Sequence, residues 1–90
     1  MPDSTGSGAG TAQAALDAVQ RYPREAIAIA QRVLAAGPGA DERSTAERAV
    51  GLALRELNDL PGALRHLRRA VRAAGTPRTR ALARMSLGYV

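Results

Sequence analysis

Displaced by 37 positions, the sequence falls on itself, and few folds allow that. Ala26 meets Ala63, Ile27 meets Leu64, Ala30 meets Leu67, Val33 meets Ala70 and Leu34 meets Val71. Ala14 meets Gly51, which meets Gly88, and Leu52 meets Tyr89. The stop signals recur too, first as Gly37-Pro38 and later as Gly75-Thr76-Pro77. A fixed period of this length means one supersecondary unit used again, each copy covering the apolar face that its neighbour leaves open.

The unit is helical. Twenty of the 90 residues are Ala and all thirteen basic residues are Arg, both strong helix formers, while Phe, Trp, Lys and Cys are absent. Apolar residues at helical spacing between Gly and Pro breaks predict five helices in 11–90, behind a flexible tail at 1–10. The first spans 11–21, with Leu16 and Val19 inward. The second spans 23–35 from Pro23, a residue suited to a first turn, with Ile27, Ala30, Val33 and Leu34 inward. The third opens at Ser44, where Glu47 three residues on completes a capping box, and runs to Leu57 along Val50 and Leu54. The turn Asn58-Asp59-Leu60-Pro61-Gly62 leads to the fourth, over 61–74, with Leu64, Leu67, Ala70 and Val71 inward. The fifth begins near Pro77 and carries Leu82, Met85 and Tyr89. Gly75 is expected to stop helix four as Gly37 stops helix two.

Two helices joined by a short turn pack closely only where their side chains are small. Gly51 and Ala63 are expected to be such points of close approach, with Leu54, Leu64 and Leu67 filling the space beside them. On these residues the segment 44–77 resembles a tetratricopeptide (TPR) repeat: Val50-Gly51 stands at the family's Leu-Gly, Leu54 at its Tyr, Ala63 and Ala70 at its two Ala, and Pro77 at its closing Pro. Residues 11–38 resemble a degenerate earlier copy through Ala26 and Pro38, and Ser86-Leu87-Gly88-Tyr89, in 78–90, the start of a third. Glu47 stands where the family has Trp, and the loop between copies is about three residues longer. More narrowly, GLALRELNDLPGALRHLRRAV is similar to N-terminal TPR regions of bacterial proteins that continue into a CHAT domain, a caspase-like peptidase. The resemblance implies an all-α fold of stacked antiparallel hairpins, about two and a half repeats of a right-handed superhelix. It also implies a groove lined by the first helix of each pair, which here places Thr45, Arg48, Leu52, Arg55, Leu82, Met85 and Tyr89 as partner-binding residues. The family's carboxylate clamp is not reproduced, because Ala49, Leu52 and Ser86 occupy three of its positions.

Charge is unevenly placed. Residues 1–59 hold six Arg and eight acids, residues 60–90 seven Arg and no acid. Arg65, Arg68, Arg69 and Arg72 share one helical face, a basic surface for an acidic protein partner or for phosphate. No base-stacking aromatic is interleaved with them, so nucleic acid ranks behind protein. The alternative for this face is the solvated side of an amphipathic helix. Lone His66 reads as a solvated side chain, with no carboxylate in its own helix. Ser44 reads as a cap, and Asp41, Glu42 and Glu47 as acids gathered at a helix N-terminus. Without Cys, and with a single His, the chain offers neither a thiolate nor a His-rich metal site, and no residues form an active-site constellation. The run Gly6-Ser7-Gly8-Ala9-Gly10-Thr11 lacks the preceding strand and the Lys of a phosphate loop.

The expected function is a protein- or peptide-binding scaffold, not an enzyme, without cofactor and placed in the cytoplasm. Two alternatives stand beside it: a regulatory module acting in cis on a CHAT-type peptidase or a transcriptional regulator, and an Arg-rich nucleic-acid-binding module. The apolar residues of the fifth helix have no following helix to cover them, so the chain is expected to be the N-terminal part of a larger protein, or to self-associate through that helix.

Overall fold

In the computed structural model, which describes residues 10–90, five helices follow one another: α1 (Ala12–Ala18), α2 (Pro23–Ala35), α3 (Ala40–Glu56), α4 (Leu60–Ala73) and α5 (Pro77–Gly88). The described residues contain no strand. Gly6, Ser7, Gly8 and Ala9, and nearly all of the expected tail, lie outside the described residues. The helices pack in a repeating order: α3 lies on both α1 and α2, and α5 lies on both α3 and α4. The starts keep the sequence offset. α2 and α4 begin 37 residues apart, at Pro23 and Leu60, and so do α3 and α5, at Ala40 and Pro77.

The core is built of small side chains. Ala12, Ala15, Ala26, Ala30, Ala46, Ala49 and Ala53 are buried with Val19, Ile29, Val33 and Val50, and Leu16, Ile27, Leu34, Leu52 and Leu54 pack around them. Alanine contributes little apolar area per residue, but it lets helix axes come close, so packing stands in for bulk. Ile29 belongs to this core although the sequence reading passed it over. α3 and α4 approach closely. A Cβ built on Gly51 would lie 2.6 Å from Leu67 Cγ and 3.1 Å from the Ala63 carbonyl oxygen. Gly51 and Ala63 therefore meet as the repeat requires, and Leu67 fills the space that the missing side chain leaves.

Helix ends account for most of the turns. Thr11, Asp59 and Thr76 cap α1, α4 and α5, each accepting a hydrogen bond from a backbone N–H three residues on. α1 stops at Ala18 rather than reaching residue 21; its cap, Val19, is followed by a turn that leads to Pro23. Gly37 ends α2 in the left-handed region, with φ +71°. Asn58 takes the same role after α3 at φ 67°. There the Asp59 N–H donates to the Leu54 carbonyl at 2.8 Å and the Asn58 N–H to that of Arg55 at 3.0 Å, the paired bonds of a Schellman ending. A left-handed Asn is tolerated but strained, so Asn58→Gly is expected to stabilise the chain by about 0.5–1 kcal/mol and raise Tm by a few degrees in a thermal melt.

Gly75 works differently from Gly37. Its backbone is not left-handed; instead the α3 N-terminus presses on it, and an added Cβ would lie 2.9 Å from Ala40 Cβ. The Gly75 N–H donates to Asp41 Oδ1 at 2.8 Å, tying the end of α4 to the start of α3. This bond is the main cause that holds the Asp41 carboxyl below the usual carboxylate range. A lowered carboxyl pKa stabilises the fold above the unfolded-state pKa, and that contribution is lost as pH falls through the folded value. The Tm gap between the wild type and Asp41→Ala should therefore be constant near neutrality and close below about pH 4. A gap that persisted unchanged in acid would mean that the charged form plays no part.

Candidate functional site

α4 turns Gly62, Ala63, Leu67 and Ala70 inward, which places Arg65, Arg68, Arg69 and Arg72 on its outside, all exposed. None of the four side chains forms a hydrogen bond or ion pair with another described residue. Among the described residues Arg55 pairs with Glu56 at 3.6 Å, and His66 lies 2.7 Å from Glu47. An open furrow of about 420 Å³ runs along this face, lined by Pro61, Leu64, Arg65, Arg68 and Arg72. Like charges three and four residues apart repel, so the face is mildly unfavourable for the isolated helix and suited to an anion. Arg69 lies on the same face but outside the furrow.

The seven residues expected to share a groove are not gathered in one cleft. Thr45 lines a depression of about 270 Å³ with Thr11, Ala12, Gln13, Asp41 and Glu42, against the start of α1. Its hydroxyl donates to the Asp41 carbonyl at 2.9 Å, one turn back in its own helix. Arg48 is half-buried, and its Nε is closed off from solvent without a hydrogen-bond partner. Desolvation pushes the Arg48 pKa down from the usual arginine value. Leu52 packs on the core, and Arg55 pairs with its neighbour Glu56. On α5, Leu82 is half-buried, whereas Met85 and Tyr89 are 57% and 67% exposed. Met85 lines a furrow of about 530 Å³ with Pro77, Arg80, Ala81 and Arg84 on the outside of α5.

Three polar residues behave differently from what the sequence suggests. α3 begins four residues before Ser44, with Gly39 at the cap and Asp41 and Glu42 in the first turn, where acids complement the helix dipole. Ser44 and Glu47 therefore form no capping box. The Ser44 hydroxyl, inside the helix and 1% exposed, donates to the Ala70 carbonyl of α4 at 2.6 Å. Glu47 is buried rather than placed at a helix N-terminus, and His66 is not a solvated lone histidine. Nδ1 of His66 lies 2.7 Å from Oε1 of Glu47, each residue supplied by a different helix. The signal was present: Ser44, Glu47 and Gly51 follow at spacings of three and four, so they share the face of α3 that Gly51 turns to α4. By the 37-residue register, His66 also occupies the place of buried Ile29.

Neither Glu47 nor His66 lines any of the three depressions. No group of three or more His, Cys, Asp or Glu among the described residues could hold a metal ion. No helix among them is long and apolar enough to cross a membrane. No known protein family matches the chain, and no curated protein or solved structure does.

Proposed function

We propose that the chain is a TPR-like helical-repeat scaffold that binds protein segments, acidic ones in preference. The observation that carries this reading is the repeated packing. Corresponding helices of successive pairs start 37 residues apart, and the first helix of each later pair lies on both helices of the pair before it. Such arrays bury little in any one unit and present long faces, a geometry used for partner binding rather than for enclosing a small substrate. The choice of an acidic partner rests on the outer faces of α4 and α5. Arg65, Arg68, Arg69, Arg72, Arg78 and Arg84 stand there without an acidic residue anywhere in 60–90.

A direct competition tests it. The protein is titrated with a 20-residue Glu-rich peptide and with a single-stranded RNA of equal charge, at several salt concentrations. The scaffold reading expects saturable binding of the peptide and weaker binding of the RNA. Tighter RNA binding with a steep salt dependence, lost on replacing Arg65, Arg69 and Arg72 by Gln, would instead make this a nucleic-acid-binding protein.

A further inference from the structure

The repeat lets one part of the molecule specify what another part binds. On α3, the stripe Ser44, Glu47, Gly51 is covered by α4: Ser44 meets the Ala70 carbonyl, Glu47 meets His66, and Gly51 meets the Ala63 carbonyl, with Leu67 seated over it. The order of these contacts shows that α4 lies antiparallel to α3. Thirty-seven residues later the same stripe on α5 reads Ala81, Arg84, Gly88, and all three are exposed. A Cβ built on Gly51 would run into Leu67, whereas one on Gly88 would meet nothing within 4 Å. The furrow lined by Pro77, Arg80, Ala81, Arg84 and Met85 follows the same side of α5.

We infer that this face of α5 is a docking site for an acidic amphipathic helix of a partner protein, laid antiparallel as α4 lies on α3. The small residues Ala81 and Gly88 admit a close helix, with a leucine seated over Gly88 as Leu67 is seated over Gly51. Chemistry at the middle position decides the charge of the occupant. Glu47 of α3 meets a base, His66; Arg84 stands in its place on α5 and calls for an acid. Arg78 and Arg80 precede it on the same helix, and among the described residues the only side-chain hydrogen bond that any of the three arginines makes is the long 3.4 Å donation from Arg80 to the Ala74 carbonyl. A second copy fits poorly. Two α5 faces would set arginine against arginine, and in a second copy α4 already has its own Leu67 fully buried. Exposed Met85 adds an adaptable apolar edge to the site.

This inference rests on the scaffold reading, but its test can fail separately. The probe is a fluorescent peptide of residues 59–75 of this chain carrying R65Q, H66E, R68E, R69Q and R72E, which keeps the apolar packing residues of α4, sets an acid opposite Arg84 and makes the exposed side acidic. Anisotropy titration with the full 90-residue chain is expected to give a micromolar Kd, weakened at least tenfold by Leu67→Ala in the peptide. Gly88→Leu, which blocks the seat, and Arg84→Glu, which reverses the charge, should each weaken binding at least tenfold in the full chain. A circular dichroism melt confirms that both variants stay folded, as the open space around Gly88 predicts. Peptide binding that neither variant disturbs would overturn the α5 site and leave the scaffold reading standing. Absence of peptide binding overturns the site, and a concentration-dependent dimer abolished by Gly88→Leu assigns it to a second copy instead.

Discussion

Leu67→Ala is expected to lower the unfolding free energy by about 3–5 kcal/mol, the largest loss from any single truncation in the chain. Leu67 is the largest side chain that is wholly buried, and it sits in a core where eleven of the sixteen buried apolar residues are alanine. Most of those alanines bury one methyl group each, so no neighbour can make up for three lost carbons. A chain of this length is stable by roughly 5–13 kcal/mol, so the variant should lose a large share of its stability and melt well below the wild type. Gly51→Ala is the complementary test. Helix propensity alone favours that change by about 1 kcal/mol, but the new Cβ would overlap Leu67 and crowd the Ala63 carbonyl, for a net loss of about 1–3 kcal/mol. In the double variant the alanine at 51 enters the hole left at 67. The combined loss should then fall short of the sum by about 0.5–3 kcal/mol in urea melts followed by circular dichroism. Strict additivity would show that the two residues do not form one knob and one hole.

That pair also shows what the sequence can disclose. The repeat offset, the five helices and the contact between Gly51 and Ala63 were legible because they follow from periodicity and from the space that a residue lacking a side chain leaves, both local properties of the string. The start of α3 was misjudged because Ser-x-x-Glu is the pattern of a cap, and Ser44 would serve as one if the chain upstream were irregular. It is not irregular. Ala40, Asp41 and Glu42 make an acceptable first turn, and the Ala70 carbonyl of a distant helix offers Ser44 a buried acceptor that no local pattern reveals. Gly75 follows the last turn of α4 as expected, but its constraint is one that no local pattern reveals: the crowding of Ala40 from the start of α3. The candidate site was legible only in outline. The basic face of α4 could be read from spacing, since four arginines on one side of an amphipathic helix must be outside. Spacing alone does not decide which residues line a groove, because which side of α3 remains open depends on how α1 and α5 settle on it.

Breaking the pair between Glu47 and His66 from one side should also cost heavily. Glu47 is 9% exposed, and its partner lies on α4, the helix that meets α3 at Gly51. His66→Ala removes the partner and leaves a carboxylate enclosed between helices, for an expected loss of about 2–4 kcal/mol. Removing both polar groups is a different matter. The first repeat fills the place of His66 with Ile29 and has no counterpart of the acid, so the fold tolerates an apolar residue there. Glu47→Leu combined with His66→Ile is therefore expected to recover most of the loss, and to equal or exceed the wild type. Ser44→Ala provides the scale for comparison. It gives up one buried bond, but the Ala70 carbonyl keeps its backbone donor Ala74 at 3.2 Å, so the cost should be only about 1 kcal/mol. Should His66→Ala cost no more than Ser44→Ala, Glu47 must reach water once its partner is gone. The contact between α3 and α4 would then be looser at that level than the meeting of Gly51 and Leu67 one turn away implies.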